Sequence, residues 1–185
     1  MMKLHLGCGA RDFGPDWIHI DKAEFSHIKY FSVTDFPFED NTVDCIYSSH
    51  LLEYFDRMEV VPILEEWRRV LKPGGVLRTA VPDFGAMAKL YCSGTYKLES
   101  FLGPLYGMMT CNSNAIYHKT TYDFDSLKAL LEFVGFNNVK RYDWRSVEHA
   151  AFDDHSQAYL PHMDKENGCL ISLNVECEKY IPSNG

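Results

Sequence analysis

The chain has 185 residues, 46% hydrophobic and 14% aromatic, enough for one domain with a core that needs no disulfide or metal staples. Its 18 basic and 26 acidic side chains give a net charge of −8 with no basic cluster, which argues against nucleic acid, because binding by phosphate neutralisation needs a positive stripe. No apolar run reaches bilayer-spanning length, no leader pattern opens the chain, and its six cysteines form no C-x-x-C pair; the expectation is a cytoplasmic protein with reduced thiols and no membrane partner.

An apolar strand pattern over Lys3–Leu6 runs directly into Gly7-Cys8-Gly9. Two glycines one residue apart let a backbone pass close to a ligand, although the same pair also occurs in ordinary strand-to-loop turns. The next strand pattern, Trp17–Ile20, ends on Asp21, where a carboxylate can hydrogen-bond both hydroxyls of a ribose. Only nine residues, Cys8–Asp16, separate the two patterns. A crossover with its helix usually needs about ten to twelve, so the first helix is expected to shrink to a turn. Asp12 stands where a dinucleotide fingerprint has its third glycine, and a pyrophosphate needs the missing helix N-terminus, so a nicotinamide cofactor fits poorly.

Further strand patterns run through Ile28–Val33, Val43–Tyr47 and Val76–Val81. Before the last of these, Val61, Leu64, Trp67, Val70 and Leu71 share one face of a helix. Asp56 with Glu59 is its candidate cap, Pro62 marks a kink or a second start, and Lys72-Pro73-Gly74-Gly75 ends it. The stretch 84–121 is rich in Tyr, Met, Gly and Ser with weak periodicity, and is expected to form a cap or acceptor-side loop region. A second helix is marked by Leu127, Leu130, Leu131 and Val134, with Asp123 or Asp125 as cap and Gly135 as stop. Strand patterns return at Asn138–Trp144 and Leu170–Cys177; in the latter Ile171, Leu173 and Val175 alternate with Ser172 and Asn174, as in a strand near a sheet edge or covered on one face. Strands alternating with helices favour an α/β parallel sheet in a single domain over 1–185.

The motifs LHLGCG (4–9), IHID (18–21), VTDFPFEDNTVDCIYSSHLLEYF (33–55), LEEWRRVLKPGGVLRTAVPDF (64–84) and KALLEFVGFNNV (128–139) together resemble the class I S-adenosylmethionine (SAM)-dependent methyltransferases, specifically their small methyltransferase type 11 members. The resemblance implies a Rossmann-like, mostly parallel seven-stranded sheet with one antiparallel strand, flanked by helices. It also implies SAM as cofactor and S-adenosylhomocysteine as product. Mapped onto this chain, it assigns Gly7, Cys8 and Gly9 to the methionyl part, Asp21 to the ribose, and Thr34, Asp35 and Phe36 to the adenine. Ser49 and His50 then lie beside the reacting end. Arg11 is a candidate for the cofactor carboxylate or a surface arginine. His5 stands where the family commonly has an acidic residue or asparagine near the methionine ammonium.

Methyl transfer needs alignment and exclusion of water, and a base only where the acceptor must lose a proton. His50, after the fourth strand, is the candidate base or acceptor-positioning residue; the alternative is a helix cap. Glu53 is a candidate to orient it, against the favoured reading of a solvated helix carboxylate. Asp83 and His118 complete the catalytic candidates, with a helix cap and a structural or exposed role as their alternatives. Tyr91, Tyr96, Tyr106 and Tyr117 with Met87, Met108 and Met109 form either an acceptor pocket or ordinary packing. His149, Asp153, Asp154, His155 and His162 match no metal-ligand spacing; a polar loop is favoured, with 153–155 bordering the substrate entrance, and no metal is expected. The expected acceptor is a small or glycan-like molecule offering oxygen or nitrogen. The rival readings are a non-catalytic domain that keeps the fold and a nicotinamide-dependent oxidoreductase.

Overall fold

The computed structural model describes residues 1–30, 32–111 and 114–181; Phe31, inside the expected third strand, lies outside the described residues. Five strands come first in space: β1 (Lys3–Leu6), β2 (Trp17–Ile20), β3 (Ile28–Tyr30), β4 (Val43–Ser49) and β5 (Leu71–Pro82). The carboxyl half adds β8 (Phe136–Arg141) and β11 (Ser172–Lys179). These form a seven-stranded sheet of order β3-β2-β1-β4-β5-β11-β8. Only β11 runs antiparallel, to β5 on one side and β8 on the other. β6 (Met109–Cys111) and β7 (Asn114–Ile116) make a hairpin, and β9 (Tyr159–Leu160) pairs with β10 (Cys169–Leu170).

Alternation along the strands gives the sheet two unlike faces. Leu4, Leu6, Ile20, Ile46, Leu77, Leu173 and Val175 belong to the main core with α1 (Val60–Val70) and α4 (Phe124–Val134). Helix α1 buries Val60, Ile63, Leu64, Trp67 and Val70, and the Trp67 indole N–H donates to the Val33 carbonyl at 2.7 Å, anchoring the loop after β3. Asp56 Oδ1 accepts from the amides of Met58 and Glu59 while Glu59 Oε2 accepts from the Asp56 amide, closing the turn ahead of α1. Pro62 falls in the first helical turn, where no N–H is required, so neither kink nor second start appears. Helix α4 opens on an Asp123–Ser126 capping box and closes on Gly135 at φ +100°.

On the opposite face His5, Trp17, His19, Cys45 and Tyr47 point outward from β1, β2 and β4. No helix lies between β1 and β2. Phe13, from the short loop that replaces it, stacks on His5 at 3.9 Å and on His149 at 5.1 Å between ring centres. Tyr47 donates to Asp154, which brings the 147–157 segment down as a lid over this face. The shortened crossover is thus compensated by aromatic rings from two loops. His5 is 1% exposed within that cluster, so its side chain faces away from the glycine loop.

One expectation is met in its first alternative, a strand near the sheet edge, and one changes. The alternating strand, β11, sits one position in from the edge with both faces covered: Asn174 Nδ2 donates to the Ser156 carbonyl at 2.9 Å, and Ser172 donates to Asn174 Oδ1 at 3.0 Å. Its polar face is buried because it is satisfied. The stretch after β5 is more helical than its weak periodicity implied, with α2 (Phe84–Cys92) and α3 (Glu99–Tyr106) ahead of the β6–β7 hairpin. Met87, Phe101 and Ile171 pack this cap onto the carboxyl end of the sheet.

Candidate functional site

The carboxyl ends of β1, β2, β4 and β5 converge where an open α/β sheet receives ligands. Gly7 and Gly9 both take positive φ, +64° and +54°, a region natural to glycine. The Gly7 amide donates to the Ile20 carbonyl, holding the turn against β2. A Cβ on Gly7 would press on Leu51 at 3.1 Å, whereas one on Gly9 would meet nothing within 4 Å. Gly9 therefore borders open volume.

Asp21 lies beside that volume. Its Oδ2 accepts from the Gly9 amide and its Oδ1 from the Ala23 amide, both at 2.8 Å. Each oxygen keeps a second lone pair for a hydroxyl. His27 Nε2 reaches the Gly9 carbonyl at 3.0 Å, so the glycine turn is braced from β2 and the loop behind it. Cys8 is buried with Sγ 3.9 Å from His27 Nε2, and burial pushes its thiol up to about 12, so the sulfur is a protonated thiol at neutral pH. Arg11 donates from Nε to the Asp153 carbonyl at 2.8 Å, and its charge acts on His50 and His155. The contact ties the loop after Gly9 to the 153–155 segment.

Thr34 and Asp35 are exposed on the loop after β3, with the Thr34 hydroxyl 3.2 Å from Ser32 Oγ. The Phe36 ring belongs to the main core beside Phe38, and its amide donates to Glu66 Oε1 at 2.9 Å. Burial against the α1 face stabilises an apolar ring more than a solvent-side position does, so the Phe36 ring supports the loop from within. Asp83 takes the cap position that was its alternative reading: Oδ1 caps α2 through the Ala86 amide at 3.1 Å, and Oδ2 accepts from Arg141 at 3.0 Å.

β4 ends on Ser49 and His50. His50 adopts φ +50°, and its amide donates to the Ala80 carbonyl on β5 at 2.8 Å. A non-glycine residue held there costs about 1–3 kcal/mol, which neighbouring packing must offset. Its side chain is 13% exposed, with Nδ1 3.3 Å from Glu53 Oε1, Nε2 3.3 Å from Ser172 Oγ, and the ring 5.2 Å from His155. Burial, then the neighbouring His155, His118 and Arg11, hold its pKa well below the ordinary histidine value. His118 arrives from the cap, with Nδ1 3.1 Å from the Pro104 carbonyl and Nε2 3.8 Å from Glu53 Oε1.

Glu53 overturns the solvated-carboxylate reading. It is 0% exposed, neither oxygen has an aligned hydrogen bond, and burial pushes its carboxyl up to about 8. Its backbone carbonyl also accepts from the Lys119 and Thr120 amides, tying the cap to the sheet end. The signal was present: Glu53 follows His50 by three residues within Leu51, Leu52, Tyr54 and Phe55, an apolar setting for a carboxylate. Ser172 and Asn174 carried none, because their alternation reads as a solvent face. His155, expected at the entrance, does border His50. The cap aromatics divide: Met87 is buried, while Tyr91, Tyr106, Met108, Met109 and Tyr117 are exposed.

Residues 4–79 match the family model of a methyltransferase domain. Demethylmenaquinone methyltransferase of Staphylococcus haemolyticus (strain JCSC1435) is 29% identical over 146 residues, 70% of this chain; the match spans 57% of that relative's length. Among solved structures, a SAM-dependent methyltransferase from Archaeoglobus fulgidus superposes with TM-score 0.60 at 16% identity, covering 96% of this chain and 86% of the other. The Burkholderia thailandensis 1,6-didemethyltoxoflavin-N1-methyltransferase, solved with 1,6-didemethyltoxoflavin and S-adenosylhomocysteine, gives TM-score 0.56 at 12% identity over 97% and 71%. The amino-terminal part of the chain is thus similar to a methyltransferase domain, and its seven-stranded sheet has the fold of solved SAM-dependent methyltransferases.

Proposed function

We propose that the chain, as one domain, binds SAM across the ends of β1, β2 and β4 and moves its methyl group to an oxygen or nitrogen of a small acceptor, which includes glycan-like molecules. The observation that carries this is the pairing of open volume at Gly9 with the Asp21 carboxylate at its rim. A dinucleotide would need a helix N-terminus for its pyrophosphate; SAM has no phosphate, so the helix-free first crossover suits it.

When bound, SAM supplies a methyl group on a sulfonium, a good leaving group. The residues of this chain do the rest. Gly7 and Gly9 give close backbone approach, Asp21 holds the ribose hydroxyls, and Thr34 with Asp35 lies on the adenine side. Arg11 answers the cofactor carboxylate bidentately. Ser49 and His50 stand at the reacting end, and the cap of 84–121 excludes water from it. His118 closes that cap from above.

Incubation with methyl-labelled SAM and a panel of hydroxyl and amine acceptors tests this reading. Label should appear in at least one acceptor class, and His50→Ala should lower turnover more than SAM affinity. Tight SAM binding without transfer to any acceptor would instead favour the non-catalytic domain.

A further inference from the structure

We propose that Glu53 is carried as a neutral carboxylic acid whose one proton faces the lone pairs of His50 and His118, so that it positions the His50 ring beneath the cap. This rests on the methyltransferase reading only in placing His50 at the acceptor side.

The hydrogen-bond chain leaves little freedom. Asn174 Nδ2 donates to the Ser156 carbonyl, which orients the amide with Oδ1 toward Ser172. Ser172 gives its single hydroxyl proton to that oxygen. Its own oxygen then offers His50 only lone pairs, so His50 Nε2, 3.3 Å away, carries the hydrogen. Burial keeps the ring neutral, which leaves Nδ1 as a lone pair 3.3 Å from Glu53 Oε1.

His118 arrives at the same oxygen by a separate route. Its Nδ1 faces the Pro104 carbonyl at 3.1 Å, and a carbonyl can only accept, so Nδ1 carries the hydrogen. Nε2 is the lone pair, 3.8 Å from Glu53 Oε1. Two imidazole lone pairs and a carboxyl oxygen therefore face one another, with Glu53 0% exposed and the His118 and His50 side chains 7% and 13% exposed. An ionised Glu53 would be a buried anion with no donor, a costly state. One proton on the carboxyl faces the nearer lone pair, His50 Nδ1 at 3.3 Å, and removes the anion from between both rings.

The other groups around the cluster leave that proton in place. Arg11 and His155 act on His50 and disfavour a second proton there. Tyr54 and Tyr122 both feel the Glu53 carboxyl and keep their phenolic protons. The Lys119 ammonium pairs with Glu59, so no cation is delivered to Glu53 from the cap. The consequence is positional: His50 has a fixed tautomer, with Nε2–H toward β11, and the cap residue His118 is read by the same carboxyl.

Histidine-¹⁵N and glutamate-carboxyl-¹³C spectra of the full chain, recorded from about pH 6 to 9, test this directly. The expected result is His50 as the Nε2–H tautomer, His118 as the Nδ1–H tautomer, and one carboxyl titrating near pH 8 that vanishes in Glu53→Gln. Glu53→Gln keeps an N–H donor in the same place, so both tautomers should persist in it. A Glu53 carboxyl titrating in the ordinary range of about 4–5, either ring charged at neutral pH, or either opposite tautomer overturns the proposal. S-adenosylhomocysteine titrated into the same samples separates the two claims. Predicted tautomers without binding would sink only the methyltransferase reading; binding with an ionised Glu53 would sink only this one.

Discussion

A carboxylate that already serves the backbone can still serve a ligand, and that is the role proposed for Asp21. It accepts from Gly9 and Ala23, so it shapes the glycine turn before any ribose arrives. Asp21→Ala should therefore weaken S-adenosylhomocysteine binding by about 1–3 kcal/mol, the cost of leaving buried hydroxyls unpaired; unchanged affinity would place the ribose elsewhere. Glu53 has the opposite character, since its burial costs stability at neutral pH. Its carboxyl, raised from 4.5 to about 8 in the folded chain, contributes fully below pH 4.5 and loses that contribution as pH rises toward 8. Glu53→Gln removes the titration, so its melting temperature relative to the parent should rise steadily between pH 5 and 8. A constant difference across that range would mean an ordinary carboxylate.

At the level of elements, strands were legible wherever pattern and turn chemistry agreed. β1 and β2 match their expected bounds, because the Gly7 bend and Asp21 punctuate them. α4 was legible for the same reason, with Asp123 and Gly135 at its ends. Asp123→Ala should cost about 1 kcal/mol, read as a lower denaturant midpoint with unchanged slope. β8 was displaced: Asn138–Trp144 was expected and Phe136–Arg141 forms, since Phe136 gains core burial directly after the Gly135 stop. α2 and α3 were obscured because their apolar residues face both the sheet end and the open side of the cap, which blurs a single stripe. The burial of the polar face of β11 was not legible, because a face written as Ser172 and Asn174 looks like a wet one until its partners at 154–157 are in place. The placement of Phe36 and Asp83 was not legible for a related reason: a ring or a carboxylate at the ligand end of a sheet can face inward or cap a helix, and spacing does not distinguish them.

Across the whole molecule, neutral imidazoles gather in two places: His5, His19 and His149 on the distinctive helix-poor face, and His50, His118 and His155 at the carboxyl end of the sheet. Burial lowers the pKa of His5, His19, His50, His118 and His155, and takes His149 down to about 4. A histidine with a depressed folded pKa stabilises above about pH 6.5, and that contribution is lost as pH falls toward the folded value. Glu53 pulls the other way over part of the window, but one carboxyl stands against six rings. Calorimetric melting temperature should thus fall steeply between pH 6.5 and 4, and a flat profile there would mean that the aromatic lid does not seal this face. Such a seal is also what lets a short Cys8–Asp16 loop replace a helix and leave the glycine turn open to a cofactor without phosphate. The most direct measurement is calorimetric titration of the whole chain with S-adenosylhomocysteine and, separately, with NAD(H). One molecule of S-adenosylhomocysteine bound per chain, with no heat from NAD(H), is expected; silence toward S-adenosylhomocysteine, or binding of NAD(H) alone, would contradict the cofactor site at Gly9 and Asp21.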